Sequence, residues 1–139
     1  MREKRVRFGE YIKKIRLDDS SELRQSDVAK ELGISTGLYG DIENNRRKPF
    51  DPEKMNKFGE LFNLTNTQKA RMFDLASREH NEVPADLEDL LMYEEVGEMA
   101  RVALREFQGG NLDEEDWKQL IRKAEANKKL REGVKNKDD

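Results

Sequence analysis

Hydrophobic residues recur along this chain at spacings of three and four, which is the period of amphipathic helices. The first such segment has apolar residues at Phe8, Tyr11, Ile12 and Ile15, with lysines and other polar residues between them. Similar stripes follow at Val28, Ala29 and Leu32, at Met55, Phe58, Leu61 and Phe62, and at Met72, Phe73 and Ala76. With 9 Gly and 3 Pro, turn residues are scarce for a sandwich or barrel of many strands. We therefore predict an all-α fold.

Residues that begin and end helices lie between these stripes. Gly33 follows the second stripe, as expected of a left-handed C-cap, and Ser35 is a good N-cap for a third helix. Asp51-Pro52 marks a fourth start, with a capping carboxylate followed by proline at the first helical position. The segment Thr65-Asn66-Thr67-Gln68 has the form of a capping box before a fifth helix. These signals predict five helices in the first 80 residues.

The second half of the chain predicts a helical extension. After a short linker, an acidic helical stretch opens at Pro84, Gly109-Gly110 ends it, and a last amphipathic helix follows. We divide the chain into a five-helix domain (1–80), an acidic helical extension (81–126) and a charged flexible tail (127–139).

Charge is distributed unevenly, although the net charge is only −3. Residues 1–80 carry 17 Lys and Arg against 14 Asp and Glu, whereas residues 81–139 carry 10 against 16. Fields at a binding face depend on nearby charges, because salt screens them over roughly 8 Å under physiological conditions. The first half is therefore suited to a polyanionic partner, and the acidic second half should face away from it.

Several classes of chemistry are excluded or disfavoured. The chain has no cysteine, which excludes disulfides, Cys-ligated zinc, iron-sulfur clusters and thiol nucleophiles. His80 is the only histidine, so a catalytic triad or a His-ligated metal has no evident partner residues. The acidic run Asp113-Glu114-Glu115-Asp116 complements a helix dipole and lacks EF-hand spacing. We expect no catalytic residues, no metal and no cofactor.

Membrane insertion is also disfavoured. The charged start of the chain leads into no apolar segment, and the apolar runs are only a few residues long. We expect a cytoplasmic protein without a membrane partner.

The most informative segment runs from Gln25 to Asn44. It joins two short predicted helices by a turn at Gly33, with the small Ala29 where the helices would cross, as a helix-turn-helix unit requires. The segment resembles the XRE family of phage-repressor-like (Cro/cI-type) DNA-binding proteins. It matches their pattern Q-x-x-[LV]-A-x-x-L-G-[IV]-S-x-x-x-[LIY]-x-x-I-E-N almost position by position. The resemblance covers about residues 8–64.

This resemblance implies a repressor-like five-helix DNA-binding domain whose third helix enters the major groove of double-stranded DNA. It also implies that the glutamine opening the second helix contacts a phosphate. An internal ion pair between Arg16 and Glu43 would lock the first helix to the third. The residues expected to contact DNA are Gln25, Ser35, Thr36, Gly37, Gly40, Asp41, Asn44, Arg46, Arg47 and Lys48. Arg46, Arg47 and Lys48 form a cationic loop that either contacts the DNA backbone or is simply solvated.

The chain departs from the family pattern in ways that leave alternatives open. Gly37 and Gly40 give the recognition helix two positions without side chains. Asp41 can accept a hydrogen bond from cytosine, or it can be repelled by phosphates. Arg24 stands where a Ser or Thr N-cap is usual, in a loop about two residues longer than is common, and Asn45 replaces a glycine.

We predict sequence-specific binding to double-stranded DNA and transcriptional regulation, most simply repression by a homodimer on an inverted-repeat operator. The apolar residues of the extension either pack within the chain or form the dimer. The alternative is a protein-interaction module of antitoxin or antirepressor type, which grips a protein partner through its acidic C-terminal half.

Overall fold

The structure is a computed structural model that describes residues 5–137, and every regular element in that range is a helix. The all-α prediction is confirmed for this range. The helices are α1 (Phe8–Asp18), α2 (Gln25–Leu32), α3 (Thr36–Glu43), α4 (Pro52–Leu61), α5 (Asn66–His80), α6 (Glu88–Met92), α7 (Glu95–Gln108) and α8 (Glu114–Lys137).

The chain divides into two compact units between Asp89 and Leu90. In the first unit α1 packs on α3 and α5, α2 packs on α3 and α4, and α4 packs on α5. Their apolar stripes form one core whose buried members are Phe8, Ile12, Val28, Ala29, Leu32, Tyr39, Ile42, Phe50, Met55, Phe58, Phe62, Leu64, Met72, Phe73, Leu75 and Ala76. The stripes read from the sequence are therefore largely the core.

The capping residues act as their types predict. Gly33 ends α2 in the left-handed region with φ of 73°. The Ser35 hydroxyl accepts a hydrogen bond from the Leu38 N–H at 3.1 Å, and the Asp51 carboxylate accepts one from the Lys54 N–H at 2.9 Å. The capping box before α5 is formed in both directions. These contacts confirm the predicted starts of α3, α4 and α5.

The start of α2 uses a different residue from the usual one. Arg24 occupies the N-cap position, and Asp27 in the first turn accepts a hydrogen bond from the Arg24 backbone N–H at 2.9 Å. An acid at this third helical position supplies half of a capping box without a serine or threonine. Helix α2 begins at Gln25 as predicted.

The stretch predicted as one acidic helix from Pro84 is divided into α6 and α7. Glu94 takes an extended conformation (ψ of 154°) and becomes the N-cap of α7. Gly97 lies against the end of α6, where an added Cβ would be 2.1 Å from the Leu90 carbonyl oxygen. This close backbone approach accompanies the break, and helical periodicity alone does not reveal it, although only glycine permits it.

The predicted break at Gly109-Gly110 is present, and Gly110 has φ of 87°. Asp113 and Asp116 then exchange backbone-to-carboxylate hydrogen bonds at the start of α8. Helix α8 continues through residues 127–137, which were predicted to form a charged tail. The flexibility expected there stays a prediction.

Candidate nucleic-acid interface

Helix α3 has one buried face and one face turned to solvent. Tyr39, Ile42 and Glu43 are buried against the first unit, whereas Thr36 and Gly37 are exposed. The exposed residues lie in the first turn of α3, directly after the turn that joins it to α2. In a helix-turn-helix unit, the first turn of the second helix is the part that contacts base edges.

Not every predicted recognition position is equally open. Asp41 and Gly40 are half-buried. An added Cβ at Gly40 would lie 3.2 Å from the Gln25 side-chain oxygen, so this glycine lets the start of α2 approach α3 closely. Gly37 has open space around it. The two glycines therefore differ, because Gly40 has a packing role that was not predicted from the sequence.

Gln25 is held by the protein rather than directed only outward. Its side-chain amide donates to Glu43 Oε1 at 3.1 Å, and the residue is half-buried. Gln25 also opens α2, and the first N–H groups of a helix have no acceptor within the helix. A phosphate contact at this end of α2 thus has backbone donors available in principle, and the contact itself stays a prediction.

The predicted pair between Arg16 and Glu43 is present and bidentate. Arg16 Nε donates to Glu43 Oε2 at 2.8 Å, and a terminal nitrogen donates to Oε1 at 3.0 Å. The Glu43 side chain is fully buried, and that of Arg16 is 10% exposed. Arg16 also donates to the Leu23 carbonyl at 3.2 Å, so one guanidinium joins α1, the lengthened loop and α3.

Both members of this pair are held in their charged forms. Burial alone would raise the pKa of Glu43, but hydrogen bonds, first of all from Arg16, outweigh burial and hold that pKa below its usual value. The hydrogen bond with Glu43 raises the pKa of Arg16. Burial raises the pKa of Tyr39, whose hydroxyl is enclosed beside the pair without a well-formed hydrogen bond. The pair therefore stays charged at neutral pH and holds the C-terminal end of α3 against α1.

Asn45 has one role that was predicted from the sequence and one that was not. Its φ of 59° confirms that asparagine takes the left-handed conformation of the glycine that is usual there. Its side-chain oxygen also accepts a hydrogen bond from the Gly9 N–H at 2.9 Å. An added Cβ at Gly9 would be 2.3 Å from the Ile42 carbonyl oxygen. A glycine in the first turn of α1 was the available signal for this close contact between α1 and the end of α3.

The cationic loop follows α3 directly. Arg46, Arg47 and Lys48 are all exposed, as is Asn44 at the C-cap of α3. The Arg46 N–H donates to the Asp41 carbonyl at 2.8 Å, which fixes the backbone where the loop leaves the helix. Three cations thus lie at the opposite end of α3 from Thr36.

Arg7, which directly precedes α1, is paired with α5. Arg7 makes a bidentate pair with Glu79 of α5, at 3.0 and 2.9 Å. Arg5 is exposed, and Lys4 lies outside the described residues. Arg7 therefore ties the start of α1 to the end of α5.

Among residues 5–137, no three His, Cys, Asp or Glu side chains are grouped so that they could hold a metal ion. No described helix is long and apolar enough to cross a membrane. His80 is half-buried at the edge of a cavity of about 300 Å³ that Phe50, Met55 and Phe73 also line.

In comparisons with protein-family models, curated proteins and solved structures, the chain has no match.

Proposed function

We propose that this protein binds double-stranded DNA sequence-specifically and regulates transcription, most simply as a homodimeric repressor on an inverted-repeat operator. One observation carries the proposal. The exposed first turn of α3 and the exposed cationic loop Arg46–Lys48 belong to one short segment, and a buried ion pair anchors that segment to α1.

The expected contacts divide into two kinds. Arg46, Arg47 and Lys48, with the N-terminal end of α2 at Gln25, contact phosphates, because cations and helix N-termini are the usual phosphate partners. These contacts supply affinity and displace condensed counterions. They position the domain without selecting a sequence.

Selectivity is assigned to Thr36, Gly37 and Asp41 of α3. Thr36 can donate to or accept from a base edge, and Asp41 can accept from a cytosine amino group. Gly37 leaves a smooth surface where the helix backbone can approach the groove closely, which favours readout of groove shape beside these contacts.

The proposal is tested by measuring duplex binding against salt concentration. In Arg46→Ala/Arg47→Ala, binding to every duplex should weaken, and the salt slope should fall by about one unit per lost phosphate contact. The matched control is Arg71→Ala/Arg78→Ala, which removes two exposed arginines from α5, a helix that packs on α1 and α4 rather than on α3. Equal affinities and salt slopes for the two variants would refute the assignment of the loop.

A second candidate function is the protein-interaction module. It is favoured by the exposed apolar side chains of α7, among them Val96 and Met99 at 57% and 65% exposure. Salt-sensitive binding to duplex DNA supports the regulator. A full-length protein without affinity for any duplex at low salt would support the module instead.

A further inference from the structure

The exposed apolar face of α7 forms a continuous stripe. Val96, Met99, Ala103 and Phe107 recur at spacings of three and four and so share one side of the helix. Val96, Met99 and Phe107 are 57%, 65% and 43% exposed. Isolated exposed apolar residues are ordinary, but a stripe of this length marks a contact surface.

Helix α8 carries a second stripe of different character. Trp117, Leu120, Ile121 and Ala124 share one face, and Leu120 and Ile121 are each 58% exposed. The same face continues into Lys128 and Arg131. It is therefore apolar in its first turns and cationic in its later ones.

These two stripes do not cover one another within the described chain. Helices α7 and α8 do not pack along their lengths. Phe107 and Trp117 meet beside the connecting turn, with ring centroids 6.1 Å apart. Both apolar faces therefore need another surface to cover them.

Charge indicates which surface fits. Glu94 and Glu95 are exposed at the start of α7, directly before Val96. Residues 118–133 of α8 carry six lysines and arginines against two glutamates. The acidic end of the α7 stripe is complementary to the cationic end of the α8 stripe, and such complementarity selects orientation and partner.

The lengths of the two stripes also match. Phe107 and Val96 are eleven residues apart, as are Trp117 and Lys128, which is about 16 Å in each helix. An antiparallel pairing along the two stripes sets Ile121 against Ala103. In this pairing Lys128 of α8 lies against Val96 of α7. Lys128 and Arg131 then reach Glu94 and Glu95.

We propose that α8 of a second copy of this chain docks antiparallel along α7, and that the reciprocal contact completes a two-fold symmetric dimer. Pairing of α7 with its own copy is disfavoured, because Glu95 and Glu106 lie on the same flank of the stripe and would face each other across the symmetry axis. The proposal rests on the homodimer of the proposed function and names its interface.

Charge reversal in trans tests the interface in the full-length protein. The two variants are Lys128→Glu/Arg131→Glu and Glu94→Lys/Glu95→Lys, and the readout is the dimer dissociation constant from sedimentation. Each variant alone should dimerise at least about tenfold more weakly than wild type, and an equimolar mixture should recover heterodimers with near wild-type affinity. The control Lys123→Glu/Lys129→Glu makes the same charge change away from the stripe and should dimerise like wild type.

Two outcomes would overturn the proposal: a mixture that associates no better than its components, or a wild-type chain that sediments as a 16.3 kDa monomer. A monomer is also the result expected if α8 packs on α7 of its own chain. Binding of the same variants to a random-sequence duplex at low salt separates this test from the proposed function. A dimer that binds no duplex contradicts DNA regulation but supports the interface, whereas monomers that bind duplex do the reverse.

Discussion

Replacing Glu43 by glutamine removes the charge that neutralises Arg16 while keeping the side-chain volume. The Glu43 side chain is fully buried and Arg16 is 10% exposed, so the guanidinium would remain largely desolvated without its carboxylate. Breaking a buried pair from one side costs about 3–5 kcal/mol. We expect about 3 kcal/mol, the lower end, because the glutamine oxygen can still accept one hydrogen bond from Arg16.

Native-state hydrogen exchange of α1 and α3 amides is the appropriate measurement. The single tryptophan, Trp117, lies in the second unit, so its fluorescence does not report on unfolding of the first. A loss of about 3 kcal/mol accelerates exchange through unfolding of the first unit by roughly 150-fold. Glu60→Gln, an exposed glutamate on α4, is the control and should change stability by less than about 0.5 kcal/mol.

The double variant Arg16→Met/Glu43→Leu separates a lost charge partner from lost packing. With both charges gone, most of the penalty should disappear, leaving about 1 kcal/mol for the unsatisfied Leu23 carbonyl and Gln25 amide. If Glu43→Gln costs less than about 1 kcal/mol, or if the double variant is less stable than the single one, the interpretation of a desolvated charge is wrong.

Three further predictions concern the same unit. Gly9→Ala should destabilise it by more than about 2 kcal/mol in thermal denaturation, because the new Cβ would be 2.3 Å from the Ile42 carbonyl oxygen; a wild-type melting temperature would contradict the close contact. Gly37→Ala, in open space on the exposed face of α3, should instead stabilise the unit by about 0.5–1 kcal/mol, and a loss of stability would show that this helix is strained. Because folding lowers the pKa of Glu43, its charge stabilises the fold above the ordinary pKa of 4.5, and this stabilisation is lost as the pH falls through the folded-state pKa. The stability advantage of wild type over Glu43→Gln should therefore shrink in acid. A stability difference that stays constant from neutral to strongly acid pH would contradict this linkage.

Elements with strong local signals could be predicted from the sequence. Gly33, Ser35 and Asp51 each satisfy the backbone at a helix end through their own chemistry, and no distant residue is needed to recognise them. The pairing of Arg16 with Glu43 was also predicted, through the resemblance of the segment to a known family.

Features that depend on close approach between distant segments could not be predicted in the same way. At the break between α6 and α7, Gly97 lies against the Leu90 carbonyl, and this contact is known only from the tertiary arrangement. The hydrogen bond from Gly9 to Asn45 and the packing of Gly40 against Gln25 are of the same kind. A glycine in a helix lowers the local helix propensity, but the sequence does not show which group approaches it.

The central claim is that α3 reads bases in the major groove of duplex DNA. Selection of bound sequences from a random duplex pool, using wild type beside Thr36→Ala/Asp41→Asn, tests it most directly. The account predicts that wild type enriches an inverted repeat with half-sites about 10 base pairs apart or a multiple of that spacing, and that the variant relaxes or changes positions within each half-site. A wild-type pool without enrichment, or a variant that selects the same sequence equally well, would contradict it.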